Sequence, residues 1–149
     1  MIEKRQSWLR VLVLSPTSSL ENALASVAPY ALEEPDITVL RAPEIGMVMA
    51  RGRMGGTGAA FNMGEVSVTR CAVADRQGRV GQSYVMGRDK RKAELVARLD
   101  LFLQDPAHQE RLWRDVVEPL AKELDASATD LSRKAAATRV EFFTMARGS

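Results

Sequence analysis

The sequence predicts an α+β fold: a single domain over residues 1–149, with an N-terminal helical hairpin, a mostly antiparallel sheet of three or four strands, and C-terminal helices. Three observations predict it. Apolar residues recur at helical spacing before Pro35 and again beyond Asp89. Between those limits, stretches rich in β-branched residues are separated by glycine-bearing turns. No internal repeat or low-complexity linker divides the 149 residues, and a chain of that length buries roughly 70% of its unfolded surface in one core.

The elements follow in order. From about Glu3 to Leu14, Trp8, Leu9, Leu12 and Val13 fall at helical spacing, and Ser15-Pro16 ends the run. Ser18-Ser19-Leu20-Glu21 fits a capping box, in which a serine oxygen and the glutamate satisfy exposed backbone donors. Leu20, Ala23, Leu24 and Val27 then mark a short amphipathic helix that pairs with the first as a hairpin. After Pro35, the segments Ile37–Arg41, Gly46–Met54, Phe61–Ala74 and Arg79–Met86 read as strands. Asp75-Arg76-Gln77-Gly78 is a hairpin turn. Alternation within the third strand puts Val66, Val68, Ala72 and Ala74 on one face with Arg70, opposite Glu65, Ser67 and Thr69.

Beyond Asp89, Leu95, Val96, Leu99, Phe102 and Leu103 form one helical stripe. Asp105-Pro106 places a cap before a proline in the first turn of the next helix. Leu112, Trp113, Val116, Val117 and Leu120 form its stripe, which Pro119 is expected to kink or break. A last helix is expected from about Thr129 to Ala137, and residues 139–145 fit either helix or strand.

Composition narrows the function classes. The single Cys71 excludes an internal disulfide, and with the single His108 it leaves too few soft ligands for a zinc or iron–sulfur site. No metal, cofactor or catalytic cluster is therefore expected. No apolar run approaches the roughly 18 residues that span a bilayer, and the run Val11–Leu14 is too short for a secretory signal, so a cytoplasmic protein without a membrane partner is expected. A net charge of +2 is too small to imply a nucleic-acid partner. Its distribution is uneven: Arg76, Arg79, Arg88, Lys90, Arg91 and Lys92 crowd one stretch against a single Asp89.

Three segments stand out as candidate sites. Gly55-Gly56-Thr57-Gly58 follows Arg53, and its backbone is free to approach a ligand and form an anion nest. No Lys-Ser or Lys-Thr follows, so it is not a P-loop; a plain turn between strands is the competing reading. Gly87-Arg88-Asp89-Lys90-Arg91-Lys92 joins a strand to a helix with Asp89 as N-cap. Arg88 and Lys90 there suit an anion at the helix N-terminus, or a solvated basic turn. The terminal segment carries Arg139, Phe142, Phe143 and Arg147, residue types that dock on the chain's own core or on another chain.

Taken in order, Arg53 to Gly58, Gly87 to Lys90 and Arg139 to Gly148 closely resemble the PhnG family, the G subunit of the bacterial carbon–phosphorus lyase core complex. The resemblance runs from Trp8 to Gly148. It implies an accessory subunit beside the H, I and J subunits, with two copies of each, and beside an ABC-type ATPase. That machinery forms α-D-ribose 1-methylphosphonate 5-triphosphate from ATP and methylphosphonate with release of adenine. The resemblance places catalysis in the I subunit, and none in this chain. Whether the arginines touch substrate or a neighbouring subunit stays open on the sequence. The rival from the residues alone is a self-sufficient nucleotide- or phosphate-binding enzyme using the Gly55–Gly58 loop. A weaker one is a basic nucleic-acid module, against which stands the lack of interleaved aromatics.

Overall fold

The computed structural model describes residues 2–27, 36–53, 60–131 and 133. Two helices, α1 (Ile2–Leu14) and α2 (Thr17–Val27), precede three strands, β1 (Thr38–Arg53), β2 (Ala60–Ala74) and β3 (Val80–Met86). Helices α3 (Lys90–Leu103) and α4 (Pro106–Leu112) follow, and α4 runs through a π turn, Trp113–Val117, into a helix over 118–131. The sheet is antiparallel in the order β1-β2-β3.

The expected first two strands are one. Thr38–Arg53 forms a single long β1; a register shift at Arg41/Glu44 absorbs the irregular sequence between them, and further shifts fall at Val39/Arg41 and Ala50/Arg51. Two expectations at the helices are also corrected. α2 starts at Thr17, ahead of the expected capping box, and Glu21 pairs with Arg91 instead. Pro119 does not break its helix, because the wide turn over Trp113–Val117 relieves the clash a proline makes with the carbonyl four residues before it. Residues 129–131 accordingly continue that helix rather than start a new one, and 134–137 lie outside the described residues.

Register assigns the two faces of the sheet. Thr69 pairs with Val85, Cys71 with Ser83 and Val73 with Gly81, so these side chains share the face that α3 covers, and all of them are buried. Arg70 pairs with Tyr84 and Ala72 with Gln82 on the outer face. Most of the burial is thus on the face opposite Arg70, with Val68 buried on the Arg70 side. α3 supplies Leu95, Val96, Leu99 and Leu103 to the core, each fully buried and each worth roughly 1.5–3 kcal/mol of transfer free energy. Trp8 and Leu12 from α1, Leu20 and Leu24 from α2, and Leu112, Val116 and Leu120 from the last helical run complete it. α1 and α2 follow one another through Ser15-Pro16; α1 packs chiefly on α3 and β3, and α2 on α3 and the C-terminal helical run.

Two backbone details set how closely α3 lies on the sheet. At Gly81 a Cβ would stand 2.1 Å from the Ala97 carbonyl oxygen and 2.7 Å from the Leu101 Cβ, so only glycine lets β3 approach the helix this far. The buried Ser83 hydroxyl donates to the Ala93 carbonyl at 2.6 Å beside it. The hairpin joining β2 to β3 turns as expected, with Asp75 Oδ1 accepting from the Gln77 and Arg79 amides at 3.0 and 2.9 Å.

Candidate functional site

The basic turn from β3 into α3 is built around Gly87 and Asp89. Gly87 has φ 96, its N–H donates to the Ser67 carbonyl at 2.8 Å, and its own carbonyl accepts from the Thr69 hydroxyl at 2.7 Å. That fastens the turn to β2. Asp89 caps α3 as expected, accepting from the Lys92 amide at 2.9 Å and from the Thr17 hydroxyl of α2. These bonds, the one from Thr17 foremost, hold the Asp89 carboxyl below the usual carboxylate range. Burial lowers the affinity of Lys92 for its proton, with Asp89 opposing it. Arg91 pairs with Glu21 at 2.9 Å and Glu94 at 3.8 Å.

Arg88 and Lys90 are left exposed, without an ion-pair partner among the described residues. The turn is therefore a fastened cap with two outward cations. It offers charge to an anionic surface or group arriving from solvent, and Asp89 already takes up the cap position of the helix.

Arg53, which precedes the glycine-rich segment in sequence, stands away from this turn. Arg53 is the last residue of β1 and pairs with Ala60 at the start of β2; Gly55, Gly56, Thr57 and Gly58 lie outside the described residues. β3 stops at Met86, opposite Val68, whereas β1 and β2 stay paired to Arg53 and Ala60. A two-stranded ribbon thus runs on past the edge of β3. From Ser67, which holds Gly87, to Ala60 is about 23 Å of strand at the usual rise of about 3.3 Å per residue. The basic turn marks one end of the ribbon and Arg53 the other. Arg139, Phe142, Phe143 and Arg147 also lie outside the described residues.

Other groups were not foreseen. His108, isolated in the sequence, has Nε2 3.8 Å from Asp105 Oδ2, beside the Arg79–Asp75 pair at 2.7 Å. Among the described residues no cluster of three histidine, cysteine or acidic side chains is placed to hold a metal ion. Cys71 is buried, and burial pushes its thiol up, as suits a structural cysteine. On the outer face of the sheet, Arg41 and Arg70 share Glu44, at 3.2 and 3.1 Å, and Arg70 foremost holds that carboxyl below its usual range. Together with Arg10 of α1 they line a cleft of about 690 Å³. Sequence distance hid this group. Alternation had placed Arg70 on its face, but nothing local links it to Arg10 or Arg41.

Comparison with known proteins bears on the whole chain. A family model described as phosphonate metabolism protein PhnG matches residues 3–148. The α-D-ribose 1-methylphosphonate 5-triphosphate synthase subunit PhnG of Rhizobium meliloti (strain 1021) is 36% identical over 147 residues, covering 99% of this chain and 91% of the relative.

Proposed function

The chain belongs to the PhnG family of phosphonate metabolism proteins, and from that premise we propose that it is an accessory subunit of a carbon–phosphorus lyase core complex. It supports the formation of α-D-ribose 1-methylphosphonate 5-triphosphate from ATP and methylphosphonate, with release of adenine. Its partners are the H, I and J subunits, two copies of each, and the ABC-type ATPase of the same system. It works in the cytoplasm, carries no cofactor of its own, and shapes the active site that the I subunit supplies. The observation that carries this reading is the match along nearly the whole chain to a protein named as a subunit of that synthase.

The surface supports a role in assembly. Met86 is 73% exposed, Met47 59% and Leu40 58%, an unusual density of large apolar side chains for strands that face only water. Methionine and arginine suit interface cores, and both occur along the sheet and its ribbon. The ribbon end at Arg53 with Gly55, Gly56, Thr57 and Gly58, and the turn at Arg88 and Lys90, act as separate contacts to neighbouring subunits or to substrate phosphates. Arg139, Phe142, Phe143 and Arg147 anchor the chain end on a partner. Among the described residues no helix is long and apolar enough to cross a membrane.

Co-expression with the H, I and J subunits from the same genome, followed by native mass spectrometry, tests the reading. A mass equal to two copies of each subunit is expected. A chain that stays alone and soluble, and binds nucleotide by itself, would overturn it in favour of a self-sufficient enzyme.

A further inference from the structure

The cleft between α1 and the outer face of the sheet belongs to none of the contacts assigned above. Its floor is set by register: Arg70 lies between Glu44 on β1 and Tyr84 on β3, and Arg41 pairs with Ala72. Its wall is one stripe of α1, where Gln6, Leu9, Arg10 and Val13 recur at helical spacing. Its volume of about 690 Å³ leaves room for a small molecule.

The charges in it do not cancel. Arg41 and Arg70 share the single carboxylate of Glu44, and Arg10 has no ion-pair partner among the described residues. Three guanidinium groups against one carboxylate leave a surplus of two positive charges around one hollow. Arginine offers donors in a planar fork that matches the oxygens of a phosphoryl group, and several forks converging on one hollow suit a multiply charged tetrahedral anion better than a lone carboxylate. Tyr84, 54% exposed beside Arg70, adds a phenol hydroxyl that can donate to the same anion.

We propose that this cleft binds a phosphorus oxyanion, a phosphoryl or phosphonyl group of a small molecule, held by Arg10, Arg41 and Arg70. Glu44 is its internal stand-in: it keeps the two strand arginines in place when the cleft is empty and yields them when the anion arrives. The site does not depend on the subunit reading, since it needs only this chain's own residues.

Isothermal titration calorimetry at constant ionic strength tests it, with inorganic phosphate and inorganic tripolyphosphate as probes and the full chain in whatever assembly it purifies. Saturable binding is expected. Arg10→Ala is the cleanest variant, because Arg10 is exposed and makes no bond that the fold needs; it weakens binding about tenfold, the loss of one charge-assisted contact. Glu44→Gln tightens binding by removing the competing carboxylate, while Glu65→Gln, the same charge change elsewhere, leaves it unchanged. Tighter binding of tripolyphosphate identifies a polyphosphate ester as the ligand class, and equal binding a single phosphoryl or phosphonyl group. The proposal is overturned if neither probe saturates, if Arg114→Ala on the C-terminal helical run weakens binding as much as Arg10→Ala, or if only an acidic peptide such as polyglutamate binds.

Discussion

The indole N–H of Trp8 donates to Asp100 Oδ1 at 2.8 Å, joining residues 92 positions apart. Asp100 is fully buried in the middle of α3, where its neighbours Leu99 and Leu103 are core. Its carboxylate also receives Arg5 Nε at 3.1 Å and Nη2 at 2.8 Å, and the Gln82 amide at 2.9 Å. One side chain therefore collects donors from α1 and β3 and locks both to α3. The hydrogen bond with Asp100 is also the main reason the Arg5 guanidinium holds its proton more tightly than usual, against the opposing effect of burial. Trp8 is a structural ligand here as much as a hydrophobic one.

Asp100→Ala is expected to destabilise the protein by about 3–5 kcal/mol, because it leaves a partly buried guanidinium and a buried indole N–H without their acceptor. Trp8→Phe keeps most of the apolar volume and removes one donor. Asp100 Oδ1 then retains Arg5, and the loss falls to about 1–3 kcal/mol. Urea unfolding of both variants reads the difference, and a Trp8→Phe variant as stable as the parent would show that the bond to Asp100 contributes nothing.

Gly81→Ala tests the contact between β3 and α3. The new Cβ would meet the backbone oxygen of Ala97 at 2.1 Å, and a backbone atom cannot swing aside as a side chain can. The strand and helix must separate, at a cost of at least about 1–3 kcal/mol. Gly46→Ala is the control: a Cβ there meets nothing within 4 Å, and the change is expected within about 0.5 kcal/mol of neutral. Thermal melts that lower both variants equally would contradict this.

How much of this was legible depended on whether the cause was local. The stripe from Leu95 to Leu103, the Asp89 and Asp105 caps, and the Asp75–Gly78 turn depend on neighbours within a few positions, and each stands where the periodicity and turn chemistry put it. The sheet's three strands lie within the expected three or four, but the expected break between Arg41 and Gly46 is absent, because a bulged strand tolerates a proline such as Pro43 where a regular one does not. Of the kink or break expected at Pro119, the break is absent because a helix can widen for a turn instead of ending. The Arg10–Arg41–Arg70 cleft and the Asp100 anchor were invisible for a different reason. Each assembles side chains from separate elements, and no spacing rule reports which helix will lie over which strand. On the basic turn, sequence alone could name Arg88 and Lys90, but not that Thr17 and Lys92 would already occupy the Asp89 carboxylate.

That cap gives a pH dependence with a definite sign. The Asp89 carboxyl is held below its ordinary value of about 3.9, so its contribution to stability is complete above that value and is lost as pH falls through the lower folded value. Asp89→Ala should cost about 1 kcal/mol at neutral pH. The gap between variant and parent should narrow steadily as the pH drops below about 4. Melting temperatures recorded across the acid range check this; a gap that stays constant would mean the carboxyl ionises alike in the folded and unfolded chain.

The exposed methionines separate assembly from folding. Met86, at 73% exposure, and Met47, at 59%, contribute little to this chain's own core, so Met47→Lys and Met86→Lys should each change its stability by no more than about 0.5 kcal/mol. In an interface the same changes bury an unpaired ammonium, which costs far more than the lost methionine contacts. By register Met47 pairs with Ser67 and Met86 with Val68, neighbouring positions of β2, so the two methionines occupy opposite faces of the sheet. Pull-down of the H, I and J subunits by each variant therefore maps which face is covered. Loss of capture by one lysine variant with an unchanged melting temperature identifies that face as the docking surface. Full capture by both would move the interface away from the sheet, to the ribbon end at Arg53 or the terminal segment from Arg139 to Arg147.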